Sequence, residues 1–257
     1  MTYLTAKNIS FKYKNQRKEL LHNLNFSIHS GEIHCILGPN GIGKSTLLNC
    51  LTGFLRPING HVFINDFPLN NLTFKNKAEK IAYVPQNNDS NSNLSLLDYI
   101  TIGVTSKLKI NQHPSQCDYK NALYLLNKFH LEKLQNNPFN TLSGGQKQLA
   151  NICLVLLQQA DIIIMDEPTS ALDLGNQVLI LKTIKRLAEQ GYGIVFSSHN
   201  PNHALQLNCT TSFINEDGKL ETNLAQNLLN EKNLKKIYHT KLNIKKIDNT
   251  SICFFSL

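Results

Sequence analysis

Residues Gly38 to Thr46 read GPNGIGKST. Gly38 and Gly43 bracket four residues ahead of Lys44-Ser45, the G-x-x-x-x-G-K-[ST] spacing in which backbone N–H groups curl around phosphate oxygens and the next helix points its positive end at them. Glycine is needed where a side chain would block that approach. The flanks fit: residues 32–37 read as a short buried strand, and residues 45–51 as an apolar helix that stops near Gly53. The chemistry implied is triphosphate binding, with Lys44 on the β- and γ-phosphates and the Ser45 hydroxyl on Mg²⁺. A second set of residues follows. Residues 161–165 are almost wholly apolar and β-branched, a pattern for a strand buried on both faces, and they deliver Asp166 and Glu167 at its carboxyl end, where open α/β sheets bind ligands. Asp166 is expected to hold Mg²⁺ through water, and Glu167 to polarise the water that attacks the γ-phosphate, because phosphoryl transfer needs an aligned nucleophile and neutralised charge. Taken alone, an Asp-Glu pair before Pro168 reads better as a solvated strand cap; the phosphate loop upstream turns the balance to the ATPase reading.

Between these two motifs stands Leu142-Ser143-Gly144-Gly145-Gln146. Ser143, Gly144 and Gly145 open a helix that runs through Gln148 to Leu157, so a hydroxyl and bare N–H groups form a second anion site. With all three motifs in this order, the chain resembles the ATP-binding-cassette (ABC) ATPase family over nearly its whole length, LSGGQ being the family's distinguishing element. The resemblance implies an α/β fold: a P-loop ATPase core with a mostly parallel sheet, an N-terminal antiparallel β-subdomain and an inserted α-helical subdomain. It implies one domain over 1–257, with residues 1–86 and 155–257 forming the core and β-subdomain and residues 87–154 the helical subdomain.

The resemblance also implies ATP and Mg²⁺ as cofactors, and a head-to-tail dimer in which the Ser143, Gly144, Gly145 and Gln146 segment of one copy closes over ATP held by Gly38, Asn40, Gly41, Gly43, Lys44, Ser45 and Thr46 of the other. Further positions match one by one. Tyr13 falls where the family stacks an aromatic on adenine, although Phe-x-Tyr is also ordinary strand alternation. Gln86 matches the glutamine that touches Mg²⁺ and the attacking water and links the site to the helical subdomain. Asp173 lies in Ser170-Ala171-Leu172-Asp173, similar to the loop between the two nucleotide sites, and reads equally as a surface N-cap. His199 corresponds to the histidine that hydrogen-bonds the γ-phosphate. A zinc pair with His203 is disfavoured, since the Glu of H-E-x-x-H is absent and Pro201 argues against helix between them.

The elements that position these residues are partly legible. Residues 1 to about 35 alternate apolar and polar like antiparallel strands, and Asn59-Gly60 gives a hairpin signal. The run from Asn87 to Asn93 is too polar for core and reads as loop. Residues 94–129 have helical periodicity interrupted at Gln112-His113-Pro114-Ser115, and residues 155 to about 220 return to strand and helix alternation, ending in a hairpin near Asp217-Gly218.

Composition bounds the rest. The 257 residues suffice for one sizeable core with a smaller subdomain, and too few follow the terminal hairpin for the regulatory domain some relatives add. No run reaches the roughly 18 apolar residues that cross a bilayer, and no signal peptide is visible. The six cysteines show no C-x-x-C pairing and read as reduced thiols in a cytosolic protein. The formal charge of +8 comes from dispersed lysines with a cluster at Lys235, Lys236, Lys241, Lys245 and Lys246. Without an aromatic-basic platform this argues for solvated faces near an anionic membrane and against a nucleic-acid partner.

Segments 97–103, 200–205 and 229–238 are similar to ATPases of importers for iron-siderophore complexes, haem, cobalamin and molybdate. That resemblance implies two integral-membrane permease subunits as partners, a periplasmic or surface substrate-binding protein acting indirectly, and a peripheral location on the cytoplasmic side of the inner membrane; the ATPase of an exporter, and a cytosolic ABC ATPase acting as a conformational clamp in complex assembly, are the alternatives. Departures exist. Leu149 and Leu154 stand where many relatives carry Arg, Cys153 and Val155 where they carry small residues, and Val104 where siderophore-type importers often have Arg.

Overall fold

The computed structural model describes residues 1–14, 18–86, 91–109, 111–170, 172–247 and 250–255. Strands β1 (Tyr3–Phe11) and β2 (Leu21–His29) pair antiparallel, in line with their alternation. Leu4 and Ala6 point inward, and so do Ile9 and Phe11, which keeps the apolar face only because the register shifts between Ala6 and Ile9, where Asn8 takes a φ of 55°. The alternating stretch does not continue to residue 35. Strand β3 (Ile33–Leu37) leaves this sheet for another one, because His34 to Leu37 are buried on both faces. Helix α1 (Lys44–Thr52) follows the phosphate loop and ends at Gly53, as expected.

Asn59-Gly60 is not a hairpin turn. It opens β4 (Asn59–Ile64), and the turn to β5 (Phe67–Pro68) lies at Asn65-Asp66, where both residues have positive φ (47° and 65°). Gly60 is required for another reason: a Cβ there would stand 2.3 to 2.4 Å from the carbonyl oxygens of Asn8 and Lys7 on β1. The N-terminal sheet is therefore antiparallel in the order β2-β1-β4-β5.

After α2 (Phe74–Lys80) and β6 (Ile81–Val84) the chain makes its helical insertion: α3 (Leu96–Thr101), a 3₁₀ stretch at Ile102–Lys107, α4 (Gln116–Lys128) and α5 (Gly144–Gln158). The expected interruption at 112–115 closes with Ser115, which caps α4 in a reciprocal box with Asp118. Residues 87–90 of the expected polar loop lie outside the described residues. The chain then alternates through β7 (Ile162–Met165), α6 (Leu174–Glu189), β8 (Gly193–Ser198), α7 (Pro201–Leu207), β9 (Thr210–Ile214) and β10 (Leu220–Leu224), and ends in α8 (Ala225–Leu228), α9 (Glu231–Tyr238) and a hairpin of β11 (Asn243–Ile247) and β12 (Thr250–Phe254).

The central sheet runs β10-β9-β3-β8-β7-β6, parallel except for β10. Alternation along its strands divides two cores. Ile163 and Met165 of β7 join Ile194 and Phe196 of β8 on the face covered by the helical insertion, α6 and the C-terminal helices. Ile162, Ile164 and Val195 point the other way, against α1 and the N-terminal sheet. Each fully buried side chain contributes about 1.5–3 kcal/mol, so the strands that carry the polar residues of the site are among the most firmly held. Leu149, Cys153 and Val155 are buried in the first core and Leu154 packs against it. The departures on α5 are thus accommodated by apolar packing. Val104 is likewise buried.

Candidate active site

The strand order sets β6, β7, β8 and β3 side by side with parallel direction, so their carboxyl ends deliver Gln86, Asp166-Glu167, His199 and the phosphate loop to one edge. There the chain forms a cleft of about 410 Å³ lined by Tyr13, Leu20, Asn40, Gly41, Gly43, Lys44, Ser45, Thr46, Gln86 and Glu167. Among the described lining residues, Leu20 is the one that the motifs did not foreshadow.

Gly43 has a φ of 110°, and a Cβ there would crowd Leu21 and Leu20 at 3.2–3.3 Å, so the position needs glycine twice over. As N-cap of α1 it offers no side-chain acceptor, which leaves the first N–H groups of the helix available to an anion. Lys44 is 4% exposed, yet its ammonium is well satisfied: Nζ donates to the carbonyl oxygens of Gly38 (2.8 Å) and Pro39 (3.0 Å) and pairs with Glu167 Oε1 at 3.0 Å. The Tyr13 hydroxyl lies 3.0 Å from Thr46 Oγ1, and its ring sits edge-on to Phe11, beyond the end of β1 and 43% exposed.

Glu167 is the hub. Its other carboxylate oxygen, Oε2, meets His199 Nδ1 at 3.0 Å and lies 3.5 Å from Gln86 Nε2. Burial alone raises its pKa, but the hydrogen bond and charge of Lys44, followed by those of His199, outweigh it and hold the carboxyl below its ordinary range. Glu167 also has a φ of 44°, a backbone state that costs a non-glycine residue about 1–3 kcal/mol and persists where surroundings enforce it. The enforcing contact is Ser197 of β8, whose Oγ accepts from the Glu167 N–H at 2.8 Å and donates to Asp166 Oδ1 at 2.5 Å. Ser197 was not among the sequence candidates. A hydroxyl directly after the apolar run Gly193 to Phe196, still within a fully buried strand, was the available signal.

The remaining candidates stand apart from the cleft. Asp166 is buried behind Glu167, with its N–H bonded to the Val84 carbonyl. Ser143 is the N-cap of α5 in a reciprocal box: Gln146 Oε1 accepts from the Ser143 N–H at 2.9 Å, and Ser143 Oγ from the Gln146 N–H at 3.4 Å. Ser143 and Gly144 are exposed, Gly145 and Gln146 half-buried, and none of them lines the cleft. Asp173 caps α6, accepting from Asn176 N–H at 2.8 Å. The expectation that Pro201 disfavours helix is overturned. Pro201 begins α7, because proline's missing N–H is no loss at the first helical position. His203 therefore lies on a helix that His199 precedes; it faces the Ser198 hydroxyl at 3.0 Å, and burial lowers its pKa to about 4. Among the described residues no group of three or more His, Cys, Asp or Glu forms a metal cluster, and no helix is long and apolar enough to cross a membrane. All six cysteines are free, Cys117 alone being exposed.

The site residues fit Mg-ATP. The cleft has the size of a small-molecule site, roughly 300–1,000 Å³, a buried ammonium and uncapped helix N–H groups suit phosphates, and hydroxyl, amide and carboxylate oxygens at Ser45, Gln86 and Asp166 suit a hard cation. Fold and site together define a P-loop nucleotide-binding ATPase. Residues 21–170 match the ABC transporter family, and the chain belongs to it.

A probable iron chelatin transport ATP-binding protein of Helicobacter pylori is 35% identical over 255 residues, 98% of each chain. The molybdate import ATP-binding protein MolC of Haemophilus influenzae is 33% identical over 237 residues, covering 92% of this chain and 89% of the relative. Among solved structures, a metal-chelate type ABC transporter in an inward-facing conformation superposes with a TM-score of 0.83 at 30% identity, over 100% of this chain and 97% of the other. A dimeric ATP-binding cassette in a post-hydrolysis state with ADP and phosphate superposes at 0.78, also at 30% identity, over 86% and 98%.

Proposed function

We propose that this chain is the ATP-hydrolysing subunit of an ABC importer for a metal chelate of the iron-siderophore, haem, cobalamin or molybdate type. The observation that carries the ATPase chemistry is the array Lys44–Glu167–His199, in which a buried carboxylate has contacts of 3.0 Å on both sides, to a buried ammonium and to an exposed imidazole. Lys44 binds the β- and γ-phosphates in place of its present carbonyl and carboxylate partners, and Ser45, Gln86 and Asp166 hold Mg²⁺, which neutralises phosphate charge when bound. Glu167, released from Lys44, orients the attacking water. His199 contacts the γ-phosphate, and Tyr13 stacks on adenine.

The exposed start of α5 supports a second copy as the partner that completes each site, Ser143 and Gly144 facing the nucleotide across the dimer and Asp173 lying between the two sites. The cassette structure with ADP and phosphate is itself a dimer, which supports the same arrangement. Two permease subunits, a substrate-binding protein acting on them from the far side and a peripheral place at the cytoplasmic face of the membrane complete the reading. It is supported by the names of the relatives and by the likeness to a metal-chelate type transporter. Closure of the dimer drives the permease only if ATP binds the closed state better than the open one.

The test is to tag Glu167→Gln, extract it from native membranes with Mg-ATP present and identify what accompanies it by mass spectrometry. A co-purifying multi-span permease and binding of a metal chelate by that complex is the expected result. Soluble partners alone, with the protein absent from membranes, would overturn the importer reading in favour of a cytosolic clamp.

A further inference from the structure

Tyr238, the last residue of α9, donates its phenolic hydrogen to the backbone carbonyl oxygen of His199 at 2.8 Å. The two residues are 39 apart in sequence, and the contact falls at the junction of β8 with α7, the segment that presents the histidine to Glu167. The helix that brings the phenol is itself anchored. Leu234 and Ile237 are buried, and the N-terminal end is capped by the Asn230 side chain on Asn233 N–H at 3.0 Å. Burial, with the neighbouring Cys35, Cys253 and Glu167, raises the phenol's pKa, so it remains a donor.

A second tie reaches the same junction from the terminal hairpin. Asn202, in the first turn of α7, exchanges hydrogen bonds with Cys253 of β12, Nδ2 to the carbonyl at 3.0 Å and the Cys253 N–H to Oδ1 at 2.7 Å. The side chain that these ties would steady is the least constrained of the array. The His199 imidazole is 54% exposed, against 4–5% for Lys44 and Glu167, so its aim depends on the backbone beneath it.

We propose that Tyr238 is a positioning residue for ATP hydrolysis: by hydrogen-bonding the His199 carbonyl, it fixes the backbone from which the imidazole reaches Glu167 and the terminal phosphate. This rests on the reading of His199 given above. Tyr238 touches neither nucleotide nor water in it; its effect passes through His199 alone.

The test is a double-mutant cycle on the full chain with Mg-ATP. Tyr238→Phe keeps the ring and removes the donor; kcat is expected to fall about fivefold, the scale of one lost hydrogen bond, with KM for ATP within about twofold and Tm close to wild type. His199→Ala falls further, and adding Tyr238→Phe to it changes kcat no more, because two residues acting as a unit are not additive. A Tyr238→Phe protein with wild-type kcat, or a fivefold loss repeated in the His199→Ala background, overturns the proposal; the second result also unmasks a merely structural loss. If His199→Ala itself hydrolyses ATP at the normal rate, the reading of His199 fails and the proposal falls with it. If that variant is impaired and Tyr238→Phe is not, only the tyrosine proposal fails.

Discussion

The two regions proposed to bind phosphate are built from the same device, a glycine-rich turn opening a helix, and they end in opposite states. At the phosphate loop the helix begins at a glycine without a side-chain cap, and the adjacent cation is buried among two carbonyls and a carboxylate. At LSGGQ the helix begins at an exposed Ser143 whose cap is closed by Gln146 from the same turn. The first region is held by strands from four places in the sequence; the second holds itself. An interior site is pre-formed because removing a buried Lys44 or Glu167 partner leaves an uncompensated charge. An exposed one remains free to meet a surface from outside.

Breaking the first region should have the largest effect. Glu167→Gln is expected to lower kcat by roughly 10²–10⁴-fold, the range for a lost general base, while filter binding still detects ATP; hydrolysis at the normal rate would sink the assignment of Glu167. Lys44→Ala should weaken ATP binding by about 100-fold, as the loss of a charged phosphate donor in a desolvated site does, measured by titration with a fluorescent ATP analogue. Unchanged affinity would mean that the loop alone holds the phosphates.

The second region gives a sharper, smaller test. Ser143→Ala should cost about 1 kcal/mol of stability through the lost cap and leave the ATP affinity of the monomer unaltered. Placed in the Glu167→Gln background, it should abolish the ATP-dependent dimer seen by light scattering. Loss of monomer affinity instead would place the LSGGQ segment in the same site as Lys44.

The pH dependence follows from Glu167. Its folded pKa lies below the ordinary 4.5, so the stability it confers is complete above that value and is lost as pH falls through the lowered one. Between about pH 5 and 3 the Tm of the wild type should therefore drop more steeply than that of Glu167→Gln. Parallel curves would show that the carboxylate's partners do not favour its charged form. An effect on stability alone is expected at the support of α5. A Cβ on Gly103 would stand 2.3 Å from the Leu154 carbonyl oxygen, and Gly103→Ala should cost about 1–3 kcal/mol by overpacking with ATP affinity intact.

Much of this was legible in the residues because backbone demands are local. The GPNGIGKST loop, the β7 strand ending in Asp166-Glu167 and the Ser143 cap each state their geometry within a few positions. The misreadings share the opposite cause. Asn59-Gly60 satisfies a turn and a close strand approach alike, and the crowding carbonyls of Lys7 and Asn8 lie some fifty residues away. Pro201 either breaks a helix or begins one, and which holds depends on where β8 ends.

The sequence alone determined the family, the phosphate-binding chemistry and the order of sheet and helix, since these rest on short-range spacing of glycine, hydroxyl, acid and apolar residues. Only the tertiary structure decided that Ser197 bridges Asp166 to the Glu167 backbone, that Glu167 sits between Lys44 and His199, and that Tyr238 reaches the His199 carbonyl. Those contacts join residues that the order of strands in the sheet and the docking of α9 bring together. No local spacing encodes them, because their distances are fixed by the packing of both cores.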